Sequence, residues 1–214
     1  MSVTTTITTS PLGFSTPDDR EELARAEVYG LLAQLFYAPP SDDLYSQLQV
    51  APTVAPTPGA FLESSWSEVV AASRRLSCEQ VRVEYDALFV GIGKPEVFLY
   101  GSYFMAGALN EKPLVALRHS LRELGLERPE SVAETEDHIA SLCEVMRYLI
   151  AGDDLAVSNL AAQQRFFSAH VRPWVDALFE AIVSHPNANF YRSSALFARD
   201  FFAVEGQAFD LIDT

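Results

Sequence analysis

The feature that most constrains the fold of this chain is a set of apolar residues that recur every three or four positions. The clearest run consists of Ile139, Leu142, Cys143, Met146, Leu149 and Ile150. This spacing places the side chains on one face of an α-helix, whereas a half-buried strand needs strict alternation. Only residues 97–104 offer a weak candidate for a strand. The sequence therefore predicts an all-α protein.

Capping and helix-breaking residues indicate where these helices begin and end. Pro39 and Pro40 end the first helix, and Ser77 with Gln80 has the form of a capping box that opens another. Pro173 suits the first position of a later helix, because that position needs no backbone N–H. Together these boundaries predict roughly eight to ten helices in a bundle.

The connections between the helices differ in character. Residues 50–59 contain three prolines, which predicts an extended connector. Residues 91–112 contain four glycines, and a connection this long inside a compact domain is usually functional or mobile. A further helix is predicted over residues 155–170. We predict one helical domain over residues 18–214, preceded by a flexible tail at residues 1–17.

The charge balance limits the classes of partner. Acidic residues outnumber basic residues by 29 to 15, which gives a formal net charge of -14. Binding to nucleic acid needs clustered Lys and Arg, so this balance argues against that class. It also disfavours an anionic membrane surface and would attract a basic peptide. The same net charge keeps a protein soluble without any partner, and both interpretations stay open.

The sequence also predicts the cellular compartment. Cys78 and Cys143 are far apart, so no disulfide framework is indicated and a reducing compartment fits. The first ten residues contain neither a basic region nor an apolar core of the kind that forms a secretory signal. No apolar run approaches the ~18–20 residues that span a bilayer. We therefore expect a cytoplasmic protein without membrane insertion.

Asp137 and His138 form the most conspicuous polar pair. If Ser131 or Thr135 caps their helix, the helical wheel makes Asp137 solvent-facing and His138 half-buried beside the apolar stripe. The plainest interpretation is an acidic helix N-terminus with an incidental histidine. An enzyme that uses His138 as a general base also needs a nucleophile and an oxyanion hole. The sequence contains no Gly-x-Ser-x-Gly elbow to supply them.

Motifs for metal and phosphate binding are missing as well. The four histidines form no His-x-x-x-His pattern, and the cysteines form no Cys-x-x-Cys pair. The Gly-Ile-Gly-Lys run at residues 91–94 is not a phosphate-binding loop, because Pro95 stands where Ser or Thr should follow the lysine. The sequence therefore indicates no metal and no cofactor.

Aromatic residues gather around the glycine-rich connection. Tyr85 and Phe89 lie on the helix that leads into it, and Tyr100 and Tyr103 lie within it. Each of these side chains alone more often belongs to a core than to a binding surface. Together, and with acidic residues nearby, they suggest an apolar groove edged with negative charge. Such a groove suits an amphipathic or extended peptide that carries basic residues.

Three short segments occur in a fixed order, namely Glu84–Gly91, Glu134–His138 and His170–Trp174. Their order and spacing resemble the TorD/DmsD family of redox-enzyme maturation chaperones, which is related to NarJ. In that family an aromatic-x-x-Leu-Phe motif leads into a Gly-rich loop with a Tyr-Gly-Ser-type segment. Glu-Pro-x-Asp-His and His-Leu-x-Pro-Trp-like segments follow. The resemblance covers about residues 20–205.

The resemblance implies a function and a site. Family members bind the twin-arginine leader of a molybdenum-cofactor oxidoreductase and shield it from premature export while the cofactor is inserted. Carried over to this chain, the leader-binding residues are Tyr85, Leu88, Phe89, Tyr100, Ser102, Tyr103, Asp137 and His138. Asp137 would face a leader guanidinium. Tyr85, Leu88 and Phe89 would take the apolar region of the leader.

The resemblance leaves several points open. Thr135 and Leu99 stand where the family motifs have proline, so the fine geometry of both segments is expected to differ. Weak binding of guanine nucleotide is implied by the resemblance alone. The partner oxidoreductase is not identified, and the chain is expected to be a monomer or a homodimer. The alternatives are a small helical enzyme that uses His138 as general base and a generic helical adaptor.

Overall fold

The structure, a computed structural model, describes residues 17–54 and 62–212 and contains ten α-helices in that part of the chain. They are α1 (Pro17–Tyr37), α2 (Asp42–Val50), α3 (Glu63–Arg75), α4 (Cys78–Tyr85), α5 (Gly101–Ala106), α6 (Lys112–Glu123), α7 (Ile139–Ala151), α8 (Leu160–Phe166), α9 (Val175–Val183) and α10 (Phe190–Ile212). The π-helical segments Asp86–Val90 and Phe167–Val171 extend α4 and α8. No strand occurs among these described residues. The predicted all-α bundle of roughly eight to ten helices is confirmed.

Two predicted segments fall largely outside the described residues. Of the tail predicted at residues 1–17, only Pro17 is described, and it opens α1. Of the connector predicted at residues 50–59, residues 55–59 lie outside the described part of the chain. No helix of the described ranges has both the length and the apolar character that crossing a membrane requires.

The core forms where α1 packs against α7 and where α10 packs against α3 and α9. The apolar stripe that predicts α7 is buried as expected. Ile139, Met146 and Leu149 are fully inaccessible to solvent, and Leu142 and Cys143 are about as deeply buried. Removing these faces from water is the main favourable contribution to folding. This core also contains most of the aromatic side chains of α10.

An ion pair inside this core joins the first helix to the last. Glu205 of α10 is 2% exposed and accepts hydrogen bonds from Arg25 Nε (2.7 Å) and Arg25 Nη2 (2.8 Å). The Tyr29 hydroxyl donates to the same carboxylate at 3.0 Å. Arg25 also donates to Gln163 of α8 at 3.2 Å. A buried charge needs this degree of pairing because it has lost its hydration.

Two helix N-termini are satisfied by side chains in different ways. At α4 the predicted capping box is confirmed: Gln80 N–H donates to Ser77 Oγ at 3.2 Å, and Ser77 N–H donates to Gln80 Oε1 at 2.8 Å. At α10 the cap comes from another helix. The Glu84 carboxylate accepts from the N–H groups of residues 189, 190 and 191 at 2.8–3.1 Å. This contact ties α4 to α10, and a negative charge is favourable at that position.

Two helix boundaries differ from the prediction. The helix predicted over residues 155–170 begins only at Leu160, because the Asn159 side chain caps it by accepting from the N–H of residue 162 at 3.0 Å. The following helix, α9, begins at Val175, two residues after Pro173. The intervening Trp174 has a non-helical φ of -142°, which keeps Pro173 outside the helix.

The long connection after the first π-helical segment depends on Gly91. Its φ is +65°, and a Cβ at this position would lie 2.0 Å from the carbonyl oxygen of Lys94. Only glycine fits this turn, because any side chain would collide with the backbone. The chain then returns to the bundle, where Val97 N–H donates to Leu88 O at 2.9 Å. The short helix α5 lies inside this connection.

Candidate functional site

The predicted site residues meet where the connection before α5 lies against the turn before α7. Gly101 N–H donates to Asp137 O, and Ile139 N–H donates to Leu99 O, both at 2.9 Å. Tyr100 and His138 form an isolated antiparallel bridge between these bonds. The weak strand candidate at residues 97–104 therefore amounts to this one bridge, because α5 begins at Gly101. Two segments far apart in sequence are thus held side by side.

Asp137 is buried, and the prediction that it faces solvent is wrong. It is 3% exposed, its Oδ2 accepts from Ser102 N–H at 2.8 Å, and its Oδ1 accepts from the Thr135 hydroxyl at 2.6 Å. The physical reason is that α7 begins at Ile139, so Asp137 lies in a turn and the helical wheel does not apply to it. Thr135, at the family's proline position, supplies a hydrogen bond that proline cannot make.

His138, predicted to be half-buried, is 3% exposed and is itself the N-cap of α7. The predicted caps, Ser131 and Thr135, lie too far before the helix. His138 Nδ1 accepts from Ala140 N–H at 3.2 Å, so Nε2 carries the ring hydrogen. Burial lowers the pKa of His138 to about 4, although the charges of nearby Glu134 and Asp137 oppose the shift. The ring is therefore neutral at pH 7.

We expect this buried histidine to make the fold sensitive to acid. The unfolded ring binds a proton below about pH 6.5, whereas the folded ring does so only near pH 4, so stability is lost as the pH falls between these values. This shift corresponds to about 3 kcal/mol. His138→Asn keeps an N-cap acceptor and should remove that part of the pH dependence. Urea unfolding at pH 6.5 and pH 4.5 measures it.

The exposed His119 provides the control for this experiment. The pH dependence of the free energy of unfolding should differ from that of the wild type more in His138→Asn than in His119→Asn, since the His119 side chain is 72% exposed. Equal pH dependence in the His138→Asn variant and the wild type would contradict the assignment of the acid sensitivity to His138.

The ring of His138 is flanked by two tyrosines. The centroid of Tyr100 lies 5.0 Å from the His138 ring, and the centroid of Tyr37 lies 6.4 Å from it, both edge-on. The Tyr100 hydroxyl donates a hydrogen bond to Glu134. Burial, this hydrogen bond and the Glu134 charge raise the pKa of Tyr100, so the hydroxyl stays protonated. The two tyrosines and Glu134 form a partly accessible aromatic and acidic surface at the turn.

The acidic residues near the turn differ in their partners. Glu136 Oε2 lies 2.9 Å from Arg118 Nη2, and Glu136 Oε1 lies 3.7 Å from Arg128 Nε. Although burial opposes it, the hydrogen bond from Arg118 and the two positive charges lower the pKa of Glu136. Glu144 is paired with Arg147 at 2.7 Å. Glu134 takes part in no ion pair with the other described residues.

The predicted motif of Tyr85, Leu88 and Phe89 contributes mainly to the core. Leu88 is fully inaccessible, and Tyr85 is 6% exposed with its hydroxyl donating to the carbonyl oxygen of Phe36 at 3.2 Å. Phe89 is half-buried, and its ring centroid lies 5.0 Å from that of Tyr191 and 5.1 Å from that of Tyr85. A role for these residues in leader binding stays a prediction.

Ser102 and Tyr103 complete the predicted set. Ser102 is fully inaccessible, and its hydroxyl has no hydrogen-bond partner among the described residues. Tyr103 is half-buried and stacks on Phe98, with ring centroids 4.2 Å apart. A role for Ser102 or Tyr103 in leader binding stays a prediction. The Ser102 hydroxyl is inaccessible to solvent, and the Tyr103 ring is already stacked on Phe98.

A groove that the sequence did not predict lies next to the turn. It encloses about 730 Å³ between the end of α1, the start of α2, the loop after α6 and the outer face of α7. Its lining is mostly apolar and includes Tyr37, Leu44, Leu121, Leu126, Val132 and Val145. The spacing of apolar residues within a single helix could not predict this groove, because each helix contributes only a few of the lining residues. Within the described residues no group of three or more His, Cys, Asp or Glu side chains could hold a metal ion.

The fold and the site thus define an all-helical protein with a groove of peptide dimensions beside a buried Asp-His turn. The chain matches the family described as nitrate reductase delta subunit over residues 57–180, more than half of its 214 residues. It belongs to that family, and the expected membership in the TorD/DmsD and NarJ-related group is confirmed.

Similar proteins agree with this assignment. The chain is 26% identical over 202 residues to the chaperone protein TorD of the Vibrio cholerae O1 strains O395 and M66-2, which covers 87% of this chain and 92% of those proteins. A crystal structure from Archaeoglobus fulgidus assigned as a redox enzyme maturation protein has a TM-score of 0.55 at 18% identity, covering 90% of this chain and 96% of that one. At this level of identity, the similarity to the Archaeoglobus fulgidus protein is evidence for the fold alone.

The protein is therefore a redox enzyme maturation chaperone of the TorD type and not an enzyme. Chaperones of this family work with molybdoenzyme subunits. The interpretations as a helical enzyme based on His138 and as a generic adaptor are set aside. The buried, N-capping position of His138 agrees with that outcome, because its Nδ1 is already engaged by the backbone.

Proposed function

We propose that this chaperone binds the twin-arginine leader of a molybdenum-cofactor oxidoreductase at the Asp137–His138 turn. It would hold the enzyme in the cytoplasm while the cofactor is inserted. The observation that carries the proposal is the Glu134 carboxylate, which is half-buried, accepts a hydrogen bond from neutral Tyr100 and has no cationic partner among the described residues. A leader guanidinium supplies the missing charge and bonds to the carboxylate as a fork.

The surroundings of Glu134 support an arginine rather than another ligand. The nearest acidic neighbour on the turn, Glu136, already has two arginine partners. Tyr100, which donates a hydrogen bond to the carboxylate, presents an aromatic ring beside it, and a guanidinium stacks well on such a ring. The formal net charge of -14 attracts a basic leader before contact is made.

Asp137 takes a positioning role in this proposal instead of the direct contact that the family resemblance implies. Both of its oxygens are occupied, one by Ser102 N–H and one by the Thr135 hydroxyl. These bonds fix the start of α5 against the turn and thereby keep Tyr100 beside Glu134.

Calorimetry with a synthetic leader tests the proposal. We expect a peptide with an Arg-Arg pair and an apolar segment to bind with a micromolar Kd or tighter, about -8 kcal/mol. Glu134→Gln should weaken binding by ~1.5–3 kcal/mol, since it removes a hydrogen bond between charged groups. Glu130→Gln removes the same charge from an exposed position in the same loop, and should change the affinity by less than about twofold because exposed charges are screened.

A peptide with both arginines replaced by lysine completes a double-mutant cycle. It should bind the wild type less well, because lysine cannot form the fork. Against Glu134→Gln it should lose little further affinity, since both changes remove the same contact. Full additivity would place the arginines on another acidic residue, and no binding of any leader to the wild type would refute the proposed function.

A further inference from the structure

A second depression lies next to the groove beside the turn, farther along α1. The second one encloses about 490 Å³ between α1, α2 and α7 and shares Gln34, Ser41 and Leu44 with the first. Together they follow α1 from Leu23 to Tyr37. These residues are 14 positions apart, which corresponds to about 21 Å along the helix axis. The two neighbouring depressions are together called the α1–α7 groove below.

The α1–α7 groove combines an apolar floor with an acidic rim. Side chains such as Leu31, Leu44, Leu126 and Val145 form the floor. Five lining residues are acidic, namely Glu27, Asp43, Glu127, Glu136 and Glu144, and two, Arg128 and Arg147, are basic. Glu136 and Glu144 are already paired with arginines, so the negative charge without an ion pair among the described residues is that of Glu27, Asp43 and Glu127. An occupant that complements this surface is apolar along its length and flanked by positive charge.

One end of the groove lies at the proposed arginine site. Val132 and Glu136 both line the groove, and Glu134 lies between them in sequence. Tyr37 also lines it and packs edge-on against His138. A chain bound at Glu134 can therefore continue into the groove without leaving the surface.

The middle of the groove contains a paired charge and favours an apolar segment. Arg147 crosses there close to α1, because Gly30 lacks a side chain: a Cβ on Gly30 would lie 3.1 Å from Arg147 Cδ. The Arg147 guanidinium is paired with Glu144, so this point of the groove carries no free charge of either sign. A basic residue at this position would meet the guanidinium, whereas an apolar one packs on its methylene chain.

We infer that the α1–α7 groove binds the apolar segment of the leader as a helix, running from Tyr37 towards Leu23 while the arginine pair occupies Glu134. This inference rests on the proposed function. It moves the apolar contact away from Tyr85 and Leu88, which are buried under other helices and offer little surface. About 12–14 residues of helix span the 18–21 Å of groove.

The test uses two synthetic peptides and two tryptophan variants. The long peptide has an Arg-Arg pair followed by about 12 leucine and alanine residues, enough for roughly 18 Å of helix. The short peptide ends after the arginine pair and its polar flank. Ser141→Trp fills the groove from half-buried Ser141 on α7. Ala177→Trp on the exposed side of α9 is the matched control.

For the wild type, we expect the long peptide to bind at least about tenfold more tightly than the short one. Ser141→Trp should abolish that difference while leaving binding of the short peptide unchanged, and Ala177→Trp should alter neither. Glu134→Gln should weaken the binding of both peptides, because both carry the arginine pair. The effect of Glu134→Gln thus tests the proposed function, and the effect of Ser141→Trp tests the groove. If the long peptide binds and Ser141→Trp does not affect it, the groove is not its site. If neither peptide binds the wild type, the proposed function itself fails.

Crosslinking on the unaltered protein keeps the inference testable should Ser141→Trp disturb folding. A long peptide with a photoreactive leucine analogue in its apolar segment should attach to residues of the groove, such as Val145 or Leu126. Attachment instead at the exposed residues Val90 and Ile92 would overturn the inference.

Discussion

Replacing Glu205 with alanine is expected to lower the free energy of unfolding by about 3–5 kcal/mol. The substitution leaves the Arg25 guanidinium, whose side chain is 16% exposed, without the carboxylate that accepts two of its hydrogen bonds. It also removes the acceptor of the Tyr29 hydroxyl. Among the described residues Arg25 then keeps only Glu22, whose Oε1 lies 2.6 Å from Arg25 Nη1 and whose side chain is 41% exposed, as a counter-ion. A largely buried charge that loses most of its hydrogen bonds is costly, because water cannot replace them. Urea unfolding followed by circular dichroism measures the loss.

An exposed ion pair on α9 and α10 provides the matched control. Glu180 lies 3.4 Å from Arg199, and both side chains are well exposed, so Glu180→Ala should change the stability by less than about 1 kcal/mol. Replacing both buried partners, as Arg25→Met with Glu205→Leu, should recover most of the stability lost by Glu205→Ala. If Glu205→Ala and Glu180→Ala have the same small effect, the buried pair does not hold α1 to α10.

Leu88→Ala is expected to cost about 3–5 kcal/mol, the upper part of the range for truncating a fully buried leucine. Leu88 is inaccessible and lies on the π-helical extension of α4, so its removal leaves a cavity between that segment and the core. Val90 is on the same segment but is 56% exposed, and Val90→Ala should change the stability by less than about 0.5 kcal/mol. Thermal and urea unfolding of both variants compare them directly.

The measured stability of Leu88→Ala also decides whether a loss of leader binding in this variant reflects a damaged fold or a lost contact. If the variant is much less stable, reduced binding follows from damage to the fold. If Leu88→Ala melts as the wild type does and still fails to bind a leader, the residue contacts the leader, as the family resemblance implies.

Local sequence patterns predicted the helices well because each depends on residues close together in the chain. The stripe from Ile139 to Leu149 and the capping box at Ser77 and Gln80 are both complete within one or a few turns of helix. The patterns could not reveal contacts that join distant segments. Glu84 looks like an ordinary helical carboxylate, and only the fold brings it to the N-terminus of α10.

The site illustrates the same limit. The sequence predicted which residues would gather there, and the structure does bring Tyr100, Asp137 and His138 together. The predicted exposure of Asp137 is wrong because it depended on where the helix begins. Moving the N-cap by three residues, from Thr135 to His138, changes a surface carboxylate into a buried one. The α1–α7 groove could not be predicted, since its walls come from helices separated by more than a hundred residues.

The buried pair of Arg25 and Glu205 spans 180 residues, and it has a consequence for the order in which this chain folds. Contacts between distant segments form late because the intervening chain must first be brought together. During synthesis α1 leaves the ribosome first, yet its partners α7 and α10 are made much later. The apolar face of α1 therefore stays uncovered until α7 has been made, and its buried ion pair stays open until α10 has been made.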